Sequence, residues 1–121
     1  MTAMLAGQAV ADDHGDADAG KRIFAQCRAC HVTDRGARSP VGPNLYGVFG
    51  RTAGTLEGFR FSEPMKKKGA EGLVWNNQTI RAYIANPRAV VPGGSMVFAG
   101  IRNEKQLNDL IAYLRKETGA Q

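Results

Sequence analysis

No stretch of this 121-residue chain approaches the roughly 20 consecutive apolar residues needed to cross a bilayer. The alternation that marks a β-strand is missing at any useful length, as are internal repeats and low-complexity blocks. Cysteine is scarce: Cys27 and Cys30 are the only two. Two thiols cannot form the several bridges of a disulfide-rich scaffold, nor the four-ligand set of a structural zinc site without further donors. The second histidine, His14, is the one remaining obvious nitrogen donor, and it lies in an acidic stretch far from any pairing pattern. Residues 1–20 contain no Lys or Arg, and no Lys occurs between Gly69 and Glu104.

The charge that is present is unevenly spread. The first twenty residues hold Asp12, Asp13, Asp16 and Asp18; from residue 21 on, sixteen basic residues face seven acidic ones, a net of +9. A basic domain steers toward acidic protein surfaces, anionic lipid or nucleic acid. No nucleic-acid-binding motif accompanies the charge. The length is that of one domain with a modest core, which a bound cofactor or metal would help to hold together. Residues 1–11 are mostly small and apolar and end in Ala9-Val10-Ala11 before Asp12, the small-residue pattern of a signal-peptidase site. The expected division is therefore a flexible tail or export-signal remnant over 1–14 and a folded domain over 15–121.

Four segments read as helices. In 16–29, Gly20, Ile23, Phe24 and Cys27 fall on one face. A short helix over 62–68 has Ser62 as N-cap and Gly69 as its stop. A third, over 77–86, begins at Asn76 or Asn77 and is ended by Pro87. The fourth, over 104–118, is capped by Asn103 with Gln106 at the third position, repeats Leu107, Leu110, Ile111 and Leu114 at i, i+3, i+4, i+7, and stops at Gly119. Two Gly- and Pro-rich loops, 35–58 and 88–100, join these elements. Loops of that length in a compact domain call for a ligand to wrap around.

Cys27-Arg28-Ala29-Cys30-His31 supplies that ligand. Cys-x-x-Cys-His is the attachment signal of c-type haem. Two thiols at this spacing near a helix end can add to the two vinyl groups on neighbouring edges of one porphyrin, and the next residue then offers its imidazole to the iron. The rival readings are weaker. A thioredoxin-like pair belongs beside a βαβ pattern, a zinc site needs more donors, and a Cys27–Cys30 disulfide would close too small a loop to stabilise much. A second axial ligand must come from elsewhere. Met1 and Met4 lie in the tail, leaving Met65 and Met96. Met96 follows Pro92-Gly93-Gly94-Ser95, a loop able to present a thioether inward; Met65 then reads as pocket wall, and His14 is a distant third choice.

With these residues in view, the chain resembles the class I c-type cytochromes, the family of mitochondrial cytochrome c and bacterial cytochrome c2. The resemblance runs from about Gly15 to Gly119 through the Cys27–His31 motif, Gly42-Pro43-Asn44-Leu45, Gly50-Arg51, Trp75, Asn86-Pro87, Met96-Val97-Phe98-Ala99-Gly100-Ile101 and Asp109-Leu110-Ile111-Ala112-Tyr113-Leu114. It implies an all-α single-domain cytochrome c fold, about four helices and long loops wrapped around one haem c. It implies that Pro43 accepts a hydrogen bond from His31, that Tyr83 places its hydroxyl near the Met96 sulfur, that Arg51 and Trp75 donate toward a buried propionate, and that Phe98 packs beside the ring. Gly20 and Phe24 should meet Leu110 and Tyr113 where the first and last helices cross. An exposed haem edge near Cys27 and Val97 should be the route for the electron.

There are departures as well. Phe61 stands where the family often has Tyr, Gly94 where it often has Thr, Met65 where a pocket Asn is usual, and 69–74 is longer by about three residues. Gln26, Ala89, Ser95 and Asn103 replace common lysines, while Arg22, Arg88 and Arg102 remain basic. The resemblance implies a monomeric electron carrier rather than an enzyme. Its partners would be redox proteins with acidic docking surfaces: a cytochrome bc1 complex, terminal oxidase, photosynthetic reaction centre or dehydrogenase. Its place would be the periplasm, or the mitochondrial intermembrane space if the source is eukaryotic. The competing class is a haem enzyme or ligand sensor in which Met96 binds weakly or not at all.

Overall fold

A computed structural model describes residues 15–120. The expectations placed on 1–14, including Met1, Met4, His14 and the export-signal remnant, lie outside the described residues. Among the described residues five helices follow one another: α1 Ala17–Phe24, α2 Glu63–Ala70, α3 Asn77–Ala85, α4 Pro87–Val90 and α5 Glu104–Glu117. No strand forms among the described residues. A single antiparallel bridge joins Thr52 to Val74.

Local chemistry accounts for the helix starts. The Asp16 carboxylate accepts from the Asp18 and Ala19 amides, Ser62 accepts from Met65, Asn103 accepts from Gln106, and Asn76 forms a reciprocal capping box with Thr79. Each satisfies amides that the first helical turn leaves without partners.

Three boundaries differ from the sequence reading. α1 ends at Phe24, not near residue 29. Beyond it the chain tightens into turns, with Cys27 N donating to Phe24 O at 2.7 Å and Cys30 N to Cys27 O at 3.1 Å. Side-chain periodicity barely distinguishes such turns from α-helix, and no Gly or Pro marks the change. α2 runs through Gly69 rather than stopping there. Gly69 is a contact residue: a Cβ at that position would lie 1.9 Å from the Ala53 carbonyl oxygen. Pro87 ends α3 but also opens α4, a short helix within the expected loop, because its fixed φ and missing N–H suit a first helical position.

The tightest packing lies where α1 crosses α5. Phe24 and Leu110 are each 1% exposed, and the Phe24 and Tyr113 rings lie 5.3 Å apart. Gly20 permits the approach, since a Cβ there would fall 2.0 Å from the Asp109 carbonyl oxygen. The buried Asp109 carboxylate closes the junction by accepting from the Asp16 amide and from Lys105 Nζ, both at 2.8 Å.

Candidate haem site

The turns after α1 bring Cys27, Cys30 and His31 to the edge of a folded loop. Gly42 N donates to Cys30 O at 2.7 Å and Leu45 N to Val32 O at 2.9 Å. Inside the loop, Ser39 Oγ accepts from Val32 N at 3.0 Å. The Asn44 amide donates to the Asp34 and Ala37 carbonyls at 2.7 and 2.8 Å. The loop thus fixes Pro43, whose carbonyl oxygen lies 2.7 Å from His31 Nδ1.

That bond decides the tautomer. A carbonyl only accepts, so Nδ1 carries the proton and Nε2 keeps its lone pair for a metal. Burial lowers the His31 pKa, only partly offset by the Pro43 bond, and so favours the neutral, ligating form. Gly42 supplies the space: a Cβ there would lie 2.5 Å from His31 Cε1. Ser39 and Asn44 had no role in the sequence reading. Their hydrogen bonds act within a loop whose path no local periodicity reveals.

The two cysteines are half-buried and not joined to each other. Burial pushes the Cys27 thiol up to about 11, with Cys30 adding to the rise and Arg28 opposing it. A thiol-exchange pair needs a depressed thiol pKa. Among the described residues, no three or more His, Cys, Asp or Glu side chains converge as a metal-ion site.

Arg51 and Trp75 are brought together by backbone. Trp75 N donates to Arg51 O at 2.9 Å and Gly50 N to Trp75 O at 2.7 Å, flanking the Thr52–Val74 bridge. The Arg51 guanidinium donates to the carbonyls of Asn44, at 3.2 Å, and Tyr46, at 2.6 Å. It therefore ties the histidine-supporting loop to the bridge, a role the sequence did not reveal. The Trp75 and Tyr83 rings lie 5.1 Å apart.

Two donors here, one buried and one half-buried, meet no acceptor among the described residues. Trp75 is 8% exposed, and its indole N–H meets no acceptor among the described residues. The Tyr83 hydroxyl, pushed up to about 12 by burial, meets none either, and no hydrogen bond joins it to Met96. A donor withdrawn from water without a partner is costly, most of all a buried one such as the Trp75 indole. Both fit a bound group that would bring acceptors of its own, as haem would with its propionates. Met65, Tyr83 and Phe98 pack, half-buried, against the core. Met96 is half-buried in the loop between α4 and α5, and the next residue, Val97, is 99% exposed.

The chain as a whole is similar to known proteins. The family model described as Cytochrome c matches residues 17–118. The chain is 44% identical to cytochrome c2 of Afifella marina over 97 residues, covering 80% of this chain and 78% of that protein. It is 44% identical to cytochrome c-550 of Ancylobacter novellus over 96 residues, covering 79% and 90%. It is 41% identical to cytochrome c of Stellaria longipes over 105 residues, covering 86% and 94%. On the extent of that match, with the all-helical fold and the Cys27–His31 motif, the chain belongs to the cytochrome c family of class I c-type cytochromes.

Proposed function

We propose that the chain passes single electrons between larger redox proteins, with His31 and Met96 as the two axial ligands of its haem iron. As a family member it carries one haem c, bound through Cys27 and Cys30, and it is an electron carrier rather than an enzyme. The haem supplies the one-electron ferric/ferrous couple. The observation that carries the ligand assignment is the 2.7 Å contact of His31 Nδ1 with Pro43 O, which commits one ring nitrogen and leaves the other for iron.

The remaining residues have separate tasks. Met96, on a loop flexed at Gly93, φ +80°, and Gly100, φ +116°, offers the thioether that closes the iron's last position. A thioether ligand favours the ferrous form and raises the potential. Tyr83 donates toward that sulfur, and the Trp75 indole toward a propionate that burial would otherwise make costly. Arg51 shares this work while holding the 44–46 backbone. Phe98 fills the flank of the ring. With His31 and Met96 both holding the haem, the site would leave no position open to substrate, and the haem would supply one-electron exchange.

The partners are proteins with acidic docking faces, of the kind found on a bc1 complex, terminal oxidase, photosynthetic reaction centre or dehydrogenase, met by a monomeric carrier. Arg22, Arg88 and Arg102 are exposed for that contact. Lys66, Lys67 and Lys68 are partly neutralised by Glu63 and Glu71 on their own helix. No helix among the described residues is long and apolar enough to cross a membrane. The proposed location is the periplasm, or the intermembrane space in a eukaryote.

The test is an absorption spectrum of the purified protein with and without carbon monoxide. A ferric iron–sulfur charge-transfer band, together with a ferrous spectrum unmoved by carbon monoxide, supports His/Met ligation. Rapid carbon monoxide binding would mean an open iron and favour the ligand-sensing or enzymatic class.

A further inference from the structure

The face of α3 turned toward the C-terminal segment is fastened by polar links along its length. Asn77 Oδ1 accepts from Arg115 Nη1 at 3.1 Å. One turn on, Arg81 reaches two residues of α5, donating from Nη1 to Glu104 Oε1 at 3.1 Å and from Nη2 to Asn108 Oδ1. At the far end the Ile84 carbonyl accepts from Ile101 N at 3.0 Å, and the Ala85 carbonyl accepts from Arg102 Nε at 3.3 Å.

Apolar packing of α3 is thin by comparison. Ile80 is its one fully buried side chain, and Tyr83, Ile84 and Ala85 are half-covered. Of the polar links, the Arg81 pair is the strongest in kind. It is a charged fork with two acceptors on one helix; Arg81 is 29% exposed and Glu104 81%, so the half-buried arm to Asn108 is the one least open to solvent.

Tyr83 follows Arg81 by two residues. At 3.6 residues per turn that places it about 200° around the helix, on the opposite face. There its ring meets Trp75. Any roll or slide of α3 against α5 therefore moves the Tyr83 hydroxyl directly.

We infer that Arg81 is a positioning residue, whose two-point grip on Glu104 and Asn108 holds α3 in the register that sets Tyr83 for its work beside Met96. The inference rests on the proposed pairing of the Tyr83 hydroxyl with the Met96 sulfur. The Arg81 fork fixes distance and rotation at once, which an apolar contact of the same size does not.

The experiment uses the intact haem protein and measures the affinity of its ferric form for free imidazole, which competes with Met96. Arg81→Met keeps the side chain's bulk and removes the fork. It should bind imidazole about tenfold more tightly, the scale of one lost charge-assisted hydrogen bond. Arg81→Lys, which can reach one acceptor but not both, should recover part of the difference. In a Tyr83→Phe background the Arg81→Met change should have little further effect, since both act through one group. Asp109→Asn loosens the α1–α5 junction instead; it should lower thermal stability while leaving imidazole affinity alone. Arg81→Met with unaltered affinity, full additivity with Tyr83→Phe, or an equal shift from Asp109→Asn would each overturn the inference. Absence of the iron–sulfur band in the unmodified protein would instead overturn the Met96 assignment on which it rests, and the inference with it.

Discussion

The α1–α5 junction and the haem side of this molecule are built on opposite terms. At the junction protein meets protein, and the polar and apolar groups are matched. Phe24 and Leu110 are sealed, Gly20 lies against backbone, and Asp109 has both carboxylate oxygens engaged. On the haem side the Trp75 indole and the Tyr83 hydroxyl meet no acceptor among the described residues, and Met96, Phe98 and Met65 are only half-covered. The first region is complete as polypeptide. The second is complete only with a bound group. Damage to the junction should therefore be read in stability, and damage to the haem side in the properties of the iron.

The largest effect should come from forcing the junction open. Gly20→Ala puts a methyl 2.0 Å from the Asp109 carbonyl oxygen and 2.7 Å from Tyr113 Cβ. Backbone on both sides cannot yield without separating the helices, so the cost should exceed the ordinary overpacking range, reaching about 3 kcal/mol or more. Chemical denaturation of the haem protein measures it, and a midpoint within error of the unmodified protein would show that the helices are not held this closely.

Met96→Ala should do the reverse. It removes the thioether, lowers the midpoint potential and admits carbon monoxide to the ferrous iron, while leaving the junction untouched. Potentiometry and a carbon monoxide titration read the change. If Met96→Ala leaves both alone while Met65→Ala alters both, the ligand is Met65.

The contrast also explains what the sequence made legible. Caps and periodicity are local, so α5 was readable from Asn103, Gln106 and the Leu107–Leu114 spacing, and the covalent chemistry was readable because Cys27, Cys30 and His31 are neighbours in the chain. Features that depend on distant residues were not. Gly69 has the look of a helix stop, yet its lack of a side chain serves a contact with Ala53. Pro87 ends one helix and begins another, two uses of the same fixed φ. The Arg51 hold on residues 44–46 and the Arg81 fork across to α5 leave no pattern in the sequence, because their partners are set by the path of the chain. Residues such as Trp75 and Tyr83 could be singled out only by resemblance; the structure adds that their polar atoms are unmatched.

A smaller effect should follow from pH at the junction. The Asp16 amide and the Lys105 ammonium hold the Asp109 carboxyl below its ordinary pKa. A group with a depressed folded pKa stabilises the fold above its unfolded pKa, and that contribution is lost as pH falls through the folded value. Lys105 is raised by the same pair, so its share is present below the unfolded lysine value and lost as pH rises through the folded one. Asp109→Asn should therefore cost about 1–2 kcal/mol near neutrality, as for a charge-assisted hydrogen bond. The cost should shrink in acid, where the unmodified carboxyl is also protonated. Unfolding free energies of the two proteins across pH 3–8 make the comparison, and a constant gap at every pH would remove Asp109 from the account.

The smallest expected change is a near-absence of change on the haem side at alkaline pH. In relatives, a lysine from the Met-bearing loop can lose its proton and displace the thioether. Here the loop between α4 and α5 has no lysine, and neither does any position between Gly69 and Glu104. The cations of that stretch are Arg81, Arg88 and Arg102, and an arginine keeps its proton and has no lone pair to give. Lys66, Lys67 and Lys68 follow the half-buried Met65, but they lie on α2 in ion pairs with Glu63 and Glu71. Reaching the iron would require α2 to unwind from Gly69, whose backbone is pressed against Ala53. The ferric iron–sulfur band should therefore survive to higher pH than in relatives with loop lysines, and what finally replaces the thioether should be hydroxide, admitted through the flexible Gly93-Gly94 turn. A pH titration of that band, with magnetic resonance to identify the alkaline ligand, checks both parts. A lysine nitrogen on the iron at mildly alkaline pH would mean that α2 opens far more easily than its contacts with Ala53 imply.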